Sequence, residues 1–253
     1  MKVDVYSVDG KKKGEIESRI FDEDIREDLI RRAALSDYSK EYQPKGAYRY
    51  AGMQTSAYYR GEKDVYRSMK NIGGAKLPRE IRPGGRYGRV RRVPFAVGGR
   101  RAHPPKPQKI IVENINKKEY IKALRSAVAA TASSEAVKKR GHIFEKVPIV
   151  VDGLEDLKKA KEVIALLEKL GLMSDVERSK ERAKKRVGRK GGTKRPKSVL
   201  FVVSGDWKAG ANLSGSDVVV AGKAKVKDFA PGGVAGRLAV YSSKALSELE
   251  ARA

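Results

Sequence analysis

The stretch Val147-Pro148-Ile149-Val150-Val151-Asp152-Gly153 (residues 147–153) decides the fold. A short aliphatic run bounded by turn residues is typical of a strand that is buried on both faces. Apolar residues recur with helical spacing from Leu154 to Leu170, and Gly171 is suited to ending that helix. A buried strand that turns directly into an amphipathic helix indicates a βαβ unit in a parallel sheet.

Short strands and helices alternate in both directions from this unit. The other predicted strands are residues 2–8, 14–17, 198–203, 217–220 and 238–241. The other predicted helices are one that starts near residue 22, one over 117–131 and one that starts at residue 242 or 243. The pattern predicts an α/β fold: a mostly parallel sheet flanked by helices, of Rossmann-like topology, with a long extended basic loop insertion.

Positive charge is concentrated in two segments. The 253 residues include 56 Lys and Arg against 31 Asp and Glu, a net charge of +25. Residues 43–109 hold 17 of these cations and three acids, a net +14, and residues 178–197 hold 11 cations and one acid, a net +10. A nearly neutral body with two basic segments indicates a polyanionic partner that the segments contact.

The composition of residues 43–109 favours an arm that binds a large folded RNA. The segment holds seven of the ten prolines, 10 of the 25 glycines and six of the 11 tyrosines, with few aliphatic residues. It cannot bury enough apolar surface to fold on itself, so we expect it to become ordered only against its partner. Arginine forks bind phosphates, and tyrosines stack on unpaired bases.

These observations divide the chain into three parts. Residues 1–42 and 110–253 are expected to form the globular α/β domain, and residues 43–109 an extended RNA-penetrating loop. Residues 178–197 are expected to be a second RNA-binding segment within that domain. The helix expected over 177–186 is too polar to bury a face in its own fold, so we expect phosphate to contact it.

The candidate RNA-binding residues are mostly cations of these two segments. In the loop they are Arg49, Arg60, Arg67, Lys76, Arg79, Arg82, Arg86, Tyr87, Arg89, Arg91, Arg92, Arg100, Arg101, His103, Lys106 and Lys109. In the second segment they are Arg182, Lys184, Lys185, Arg186, Arg189, Lys190, Lys194 and Arg195.

The sequence offers no catalytic constellation. There is no cysteine, which excludes disulfides and thiolate zinc sites, and the default is an intracellular setting. No acids with metal spacing accompany either histidine, so no metal site or cofactor is expected, and His142 is interpreted as a surface residue. Residues 188–194 resemble a phosphate-binding loop only in composition. We expect neither a signal peptide nor a membrane span.

Two alternatives to a non-catalytic RNA-binding protein stay open at this point. An RNA-modifying enzyme with a basic insertion has the expected fold but lacks a nucleotide fingerprint and an acid/base pair. A DNA-compacting protein would bind duplex DNA with comparable affinity.

Several motifs are more specific than composition. The basic loop contains Arg86-Tyr87-Gly88-Arg89-Val90-Arg91-Arg92-Val93-Pro94 and then Gly99-Arg100-Arg101-Ala102-His103-Pro104-Pro105-Lys106. Further along stand Ala123-Leu124-Arg125-Ser126-Ala127-Val128-Ala129-Ala130-Thr131-Ala132, Arg140-Gly141-His142, Arg195-Pro196-Lys197-Ser198-Val199-Leu200-Phe201-Val202 and Ala230-Pro231-Gly232-Gly233. In this order, and over the whole chain, the sequence resembles large-subunit ribosomal protein four in its archaeal and eukaryotic branch.

That resemblance implies a structural component of the cytoplasmic large ribosomal subunit. It implies ribosomal RNA and neighbouring ribosomal proteins as partners, among them protein twenty-two near the nascent-peptide exit tunnel. The loop tip, around Lys76 to Arg89, would line the tunnel and meet the nascent peptide. Arg91, Arg92, Arg100, Arg101 and His103 would lie in the flanks of the loop.

Overall fold

The computed structural model describes residues 1–188 and 191–252, which form two units. The first unit comprises Met1–Glu41 and Val112–Ala253, and the second comprises Tyr42–Ile111.

The first unit is built on a six-stranded sheet. In chain order, the strands of the described residues are β1 (Lys2–Tyr6), β2 (Lys12–Glu17), β3 (Arg79–Ile81), β4 (Tyr87–Val90), β5 (Ile149–Val151), β6 (Lys184–Lys185), β7 (Thr193–Lys194), β8 (Leu200–Val203), β9 (Asp217–Val220) and β10 (Ala239–Ser242). The pairs β3–β4 and β6–β7 form separate two-stranded hairpins outside this sheet. The sheet order is β2-β1-β5-β10-β8-β9; β2 is antiparallel to β1, and the other neighbours are parallel. The expected mixed α/β fold with a mostly parallel sheet is confirmed.

The order of the parallel strands does not confirm the Rossmann-like topology. Numbered among themselves along the chain, the five parallel strands run 1-2-5-3-4 across the sheet, whereas a Rossmann sheet runs 3-2-1-4-5-6.

Helices cover both faces of the sheet, which explains the continuous aliphatic runs. The helices are α1 (Glu27–Ser39), α2 (Lys117–Ala132), α3 (Ser134–Lys139), α4 (Ala160–Lys169), α5 (Met173–Glu181), α6 (Val226–Phe229) and α7 (Ser243–Arg252). Successive residues of β5 point to opposite faces: Val150 joins a core with α1, α2, α6 and α7, while Ile149 and Val151 join a core with α4 and α5. Every residue of β8 and β10 is therefore buried.

Two helices start later than their sequence periodicity predicts. The helix expected from Leu154 is interrupted, since Leu154–Asp156 is a single 3₁₀ turn and α4 starts only at Ala160. Between them Leu157 is extended, and its carbonyl accepts a hydrogen bond from Trp207 Nε1 at 2.6 Å, which leaves it unavailable to a helix.

The helix expected from Asp22 is likewise shorter, because α1 starts at Glu27. The Ser126 hydroxyl on α2 accepts from the Arg26 N–H at 2.6 Å and donates to the Asp24 carbonyl at 2.8 Å. These two bonds hold the residues before α1 against α2 in a non-helical conformation.

The second unit is largely irregular and carries one short hairpin. β3 and β4 pair antiparallel around a turn at Pro83–Gly85. Ala57 and Met69 are its buried apolar residues. Sequence periodicity did not predict this hairpin, which backbone pairing forms with almost no apolar burial. Elsewhere the sparse aliphatic content leaves most side chains exposed.

Candidate nucleic-acid interface

Most of the predicted RNA-binding residues of the second unit are exposed. The exposed ones are Arg49, Arg67, Lys76, Arg82, Arg86, Arg89, Arg92, Arg100, Arg101, His103, Lys106 and Lys109. Four predicted residues are half-buried: Arg60, Arg79, Tyr87 and Arg91. The majority therefore present their charges to solvent, where phosphate oxygens could approach them.

The half-buried residues also organise the hairpin. Arg91 Nε lies 2.7 Å from Glu80 Oε1, an ion pair between β3 and the residue after β4. The Tyr87 hydroxyl is 3.0 Å from the Arg67 carbonyl oxygen and 3.1 Å from that of Ser68. These residues have a structural role that the charge pattern alone did not indicate, and Arg91 is partly neutralised.

Aromatic rings and guanidinium groups are already stacked in this unit. The guanidinium of Arg60 lies 4.4 Å from the ring centroid of Tyr58, and that of Arg67 lies 5.1 Å from the ring of Tyr66. Such planar pairs resemble the platforms on which unpaired bases stack. The exposed face of Tyr66 offers the largest such surface, since 77% of that residue is accessible.

The helix expected over 177–186 does not extend through the second basic segment, where two short strands pair instead. α5 ends at Glu181, and β6 and β7 pair through Lys184–Lys194 and Lys185–Thr193. The predicted residues here that the structure describes, Arg182, Lys184, Lys185, Arg186, Lys194 and Arg195, are all exposed. Arg189 and Lys190, also predicted, lie outside the described residues.

Buried polar groups of α5 hold the residues that follow this hairpin. The expectation that α5 buries no face is wrong, because Asp175, Val176 and Ser179 are buried. Ser179 Oγ donates to the Pro196 carbonyl at 2.7 Å, and Arg178 Nη2 donates to the Lys197 carbonyl at 3.0 Å. The helix is polar on this face because its side chains hydrogen-bond to the backbone of the residues that follow β7.

His142 belongs to the same cluster of polar residues, the hairpin anchor, so its interpretation as a surface residue is wrong. The anchor comprises His142, Asp175, Arg178, Ser179 and Ser198. The residue is 6% exposed, and its Nδ1 lies 3.0 Å from Asp175 Oδ2. Burial lowers the pKa of His142, so the ring is neutral and Nδ1–H donates to the carboxylate. Burial would raise the pKa of Asp175, but hydrogen bonds from His142 and Arg178 outweigh it and hold that pKa well below its usual range.

The histidine, carboxylate and serine of this cluster do not form a nucleophilic triad. Ser198 Oγ donates to Asp175 Oδ2 at 2.9 Å, so the serine and the imidazole share the carboxylate instead of contacting each other. The i, i+3 spacing of Asp175 and Arg178 was the one sequence signal for this cluster, since it places both on one face of a helix.

The described part of the chain holds no group of three or more His, Asp or Glu residues that could bind a metal ion. Among those same residues, no helix combines the length and apolar character needed to cross a membrane.

These features define the chain as an α/β protein with two segments of exposed cations. The model of the ribosomal protein L4/L1 family matches residues 14–252. Large ribosomal subunit protein uL4 of Methanococcus aeolicus is 46% identical over 264 residues, covering 100% of both chains. The uL4 of Methanocaldococcus jannaschii is 45% identical over 263 residues, covering 100% of this chain and 99% of its own.

The chain belongs to the ribosomal protein L4/L1 family. The resemblance drawn from its motifs is thereby confirmed, and the two relatives are archaeal. The family is one of structural ribosomal proteins, so the chain is not an enzyme. The alternative of an RNA-modifying enzyme is set aside on that ground.

Proposed function

We propose that this protein is a structural constituent of the cytoplasmic large ribosomal subunit, where it binds ribosomal RNA and supports assembly. One observation carries the proposal: residues 43–109 and 178–197 hold +24 of the net +25, and most of their described cations are exposed. Lys and Arg side chains that neutralise phosphates release bound counterions, which is a major source of affinity for RNA. The names of the relatives agree with a place in the large subunit.

The three parts of the chain take different roles in this proposal. Residues 1–42 and 110–253 act as the globular domain, residues 43–109 as the extended loop that penetrates RNA, and residues 178–197 as a second contact. Exposed cations along the whole of 43–109 and its scarcity of buried apolar residues support the assignment of the loop.

The loop tip, Lys76 to Arg89, contributes to the wall of the exit tunnel, beside protein twenty-two and in contact with the nascent peptide. The family resemblance is the basis for this role. The turn at Pro83–Gly85 supports it, because glycines with positive φ at 84 and 85 allow a tight turn that carries the exposed Arg82 and Arg86.

Sedimentation of tagged protein with large subunits in cell extract tests the proposal. We expect the full chain to co-sediment with large subunits, and a chain lacking residues 71–89 to co-sediment less. The free energy of unfolding of the first unit (the α/β unit), followed by Trp207 fluorescence, should be the same in both chains. A matched control replaces three exposed cations of α2, Lys117, Lys118 and Lys122, by glutamine. A full chain that does not co-sediment would refute the ribosomal role.

DNA compaction predicts a different result. A DNA-compacting protein would bind duplex DNA as tightly as structured ribosomal RNA at the same moderate salt concentration, whereas we expect a clear preference for the RNA.

A further inference from the structure

A cavity of about 910 Å³ opens in the α/β unit beside the β6–β7 hairpin. Its walls come from α1, the end of α3, α5, the hairpin and the loop around Pro231. Of the 15 lining residues that the structure describes, seven are Lys or Arg and none is Asp or Glu. The cavity is therefore strongly cationic, and its volume lies in the range of sites that hold a ligand much larger than a phosphate ion.

Four of these cations have no carboxylate partner among the described residues. Arg178 is paired with Asp175, Lys197 with Asp217 and Lys139 with Glu27. For the other four (Arg140, Arg186, Lys194 and Arg195) no ion pair is formed among residues 1–188 and 191–252. An uncompensated charge of about +4 thus faces a single concave site.

Arg140 shows that this charge is built into the fold. Its guanidinium donates to the carbonyls of Val234 and Pro231, the latter at 2.7 Å, so neutral groups fix it in place. Burial, together with the charges of Arg237 and Arg178, lowers the pKa of Arg140 to about 10. A partly buried arginine surrounded by like charges is costly unless an anion compensates it.

The remaining walls fit the rest of a nucleotide. Pro196, Pro231 and Val234 give apolar surface on which a base or ribose could pack. The Tyr38 hydroxyl accepts from the Gly232 N–H at 3.0 Å, which leaves its own proton free to donate to an acceptor. Phosphate donors and apolar walls in one cavity match a nucleotide better than a bare anion.

We propose that this cavity binds a single unpaired nucleotide of RNA, its phosphates held by Arg140, Arg186, Lys194 and Arg195 and its base on the proline wall. The site rests on the proposed function in its use of RNA, but it is separate from the loop of residues 43–109. Single-stranded or bulged RNA supplies such a nucleotide, because its bases are free to turn outward.

Cross-linking of full-length protein to a single-stranded RNA that contains 4-thiouridine tests the proposal. Peptide mass spectrometry then separates cross-links at the cavity, over 193–197 and 231–234, from those in 43–109. The variant R186Q/K194Q/R195Q removes three cavity cations. The control K117Q/K118Q/K122Q removes three exposed cations of α2, outside both basic segments, that do not line the cavity.

We expect cavity cross-links to fall about tenfold or more in the cavity variant and less than twofold in the control, with loop cross-links kept in both. Equal losses in the two variants would show that only diffuse charge acts, which overturns the site. Absence of cavity cross-links in the unmodified protein, with loop cross-links present, overturns the site and leaves the proposed function standing.

Two further arms identify the ligand. Duplex RNA of the same sequence should cross-link poorly at the cavity, and uridine monophosphate should compete far less well than the unlabelled strand. If the mononucleotide competes equally, the ligand is a free nucleotide and the assignment to RNA is wrong.

Discussion

Replacing Asp175 by alanine removes the acceptor on which the hairpin anchor depends. The carboxylate is fully buried and accepts from His142 Nδ1 at 3.0 Å, Ile143 N at 3.0 Å, Arg178 Nε at 2.8 Å and Ser198 Oγ at 2.9 Å. Its loss leaves Arg178, whose side chain is 10% exposed, without its countercharge.

The expected cost follows from that burial. Removing one partner of a buried ion pair costs about 3–5 kcal/mol, because the other charge stays uncompensated in a low-dielectric site. The free energy of unfolding of a domain is about 5–15 kcal/mol, so this single change removes a large share of it. Replacing the exposed Asp206 should change it by less than about 0.5 kcal/mol.

Urea unfolding followed by tryptophan fluorescence measures the effect. Trp207 is the single tryptophan and is buried. Its ring packs edge-on against Phe201, with 5.3 Å between the ring centroids, so its fluorescence reports on the core that contains α5. We expect the midpoint for Asp175→Ala to fall with little change in slope. A decrease of less than about 1 kcal/mol in the free energy of unfolding would refute the stabilising role of this buried carboxylate.

Three further predictions test other parts of the argument. Burial lowers the pKa of His142 in the folded state, so the unfolded chain binds a proton more readily than the folded chain does. The contribution of His142 to the free energy of unfolding is therefore complete above about pH 6.5, the usual pKa of the side chain. It is lost as pH falls from there towards the folded pKa. His142→Asn should flatten that slope in urea titrations at several pH values, and an unchanged slope would show that the ring does not cause it. Gly215→Ala should lower the free energy of unfolding by about 1–3 kcal/mol, since φ is +73° and a Cβ would lie 2.3 Å from the Pro196 carbonyl oxygen. The control Gly222→Ala adds a Cβ that meets nothing within 4 Å, so thermal unfolding should show little change for it. The affinity for single-stranded ribosomal RNA should fall with a log–log salt slope near −7 for about ten phosphate contacts, and a slope near −1 would contradict an interface dominated by the loop.

Sequence periodicity predicted the starts of some helices and missed those of others. Periodicity located α2 and α7 within a residue or two, because each buries a regular apolar stripe. It failed before α1 and α4, where hydrogen bonds to Ser126 and Trp207 take up the backbone groups a helix would need. Those partners lie about 100 and 50 residues away along the chain, beyond the reach of any local pattern.

Charge pattern predicted the exposed cations of the candidate site but not the structural roles of its half-buried residues. Exposed cations could be located from charge alone, since charged side chains in a segment with few aliphatic residues stay in solvent. The structural roles of Tyr87 and Arg91 could not, because each depends on a partner brought close by the β3–β4 hairpin.

The sequence by itself determined the class of fold, the separation of a near-neutral body from two basic segments, and the family. Those properties follow from local composition, short-range periodicity and ordered motifs. Only the tertiary structure decided that His142, Asp175 and Ser198 share one buried network, and that Arg140 faces the cavity beside the hairpin. Burial of polar groups depends on which distant residues satisfy their hydrogen bonds, and the folded chain alone brings those residues together.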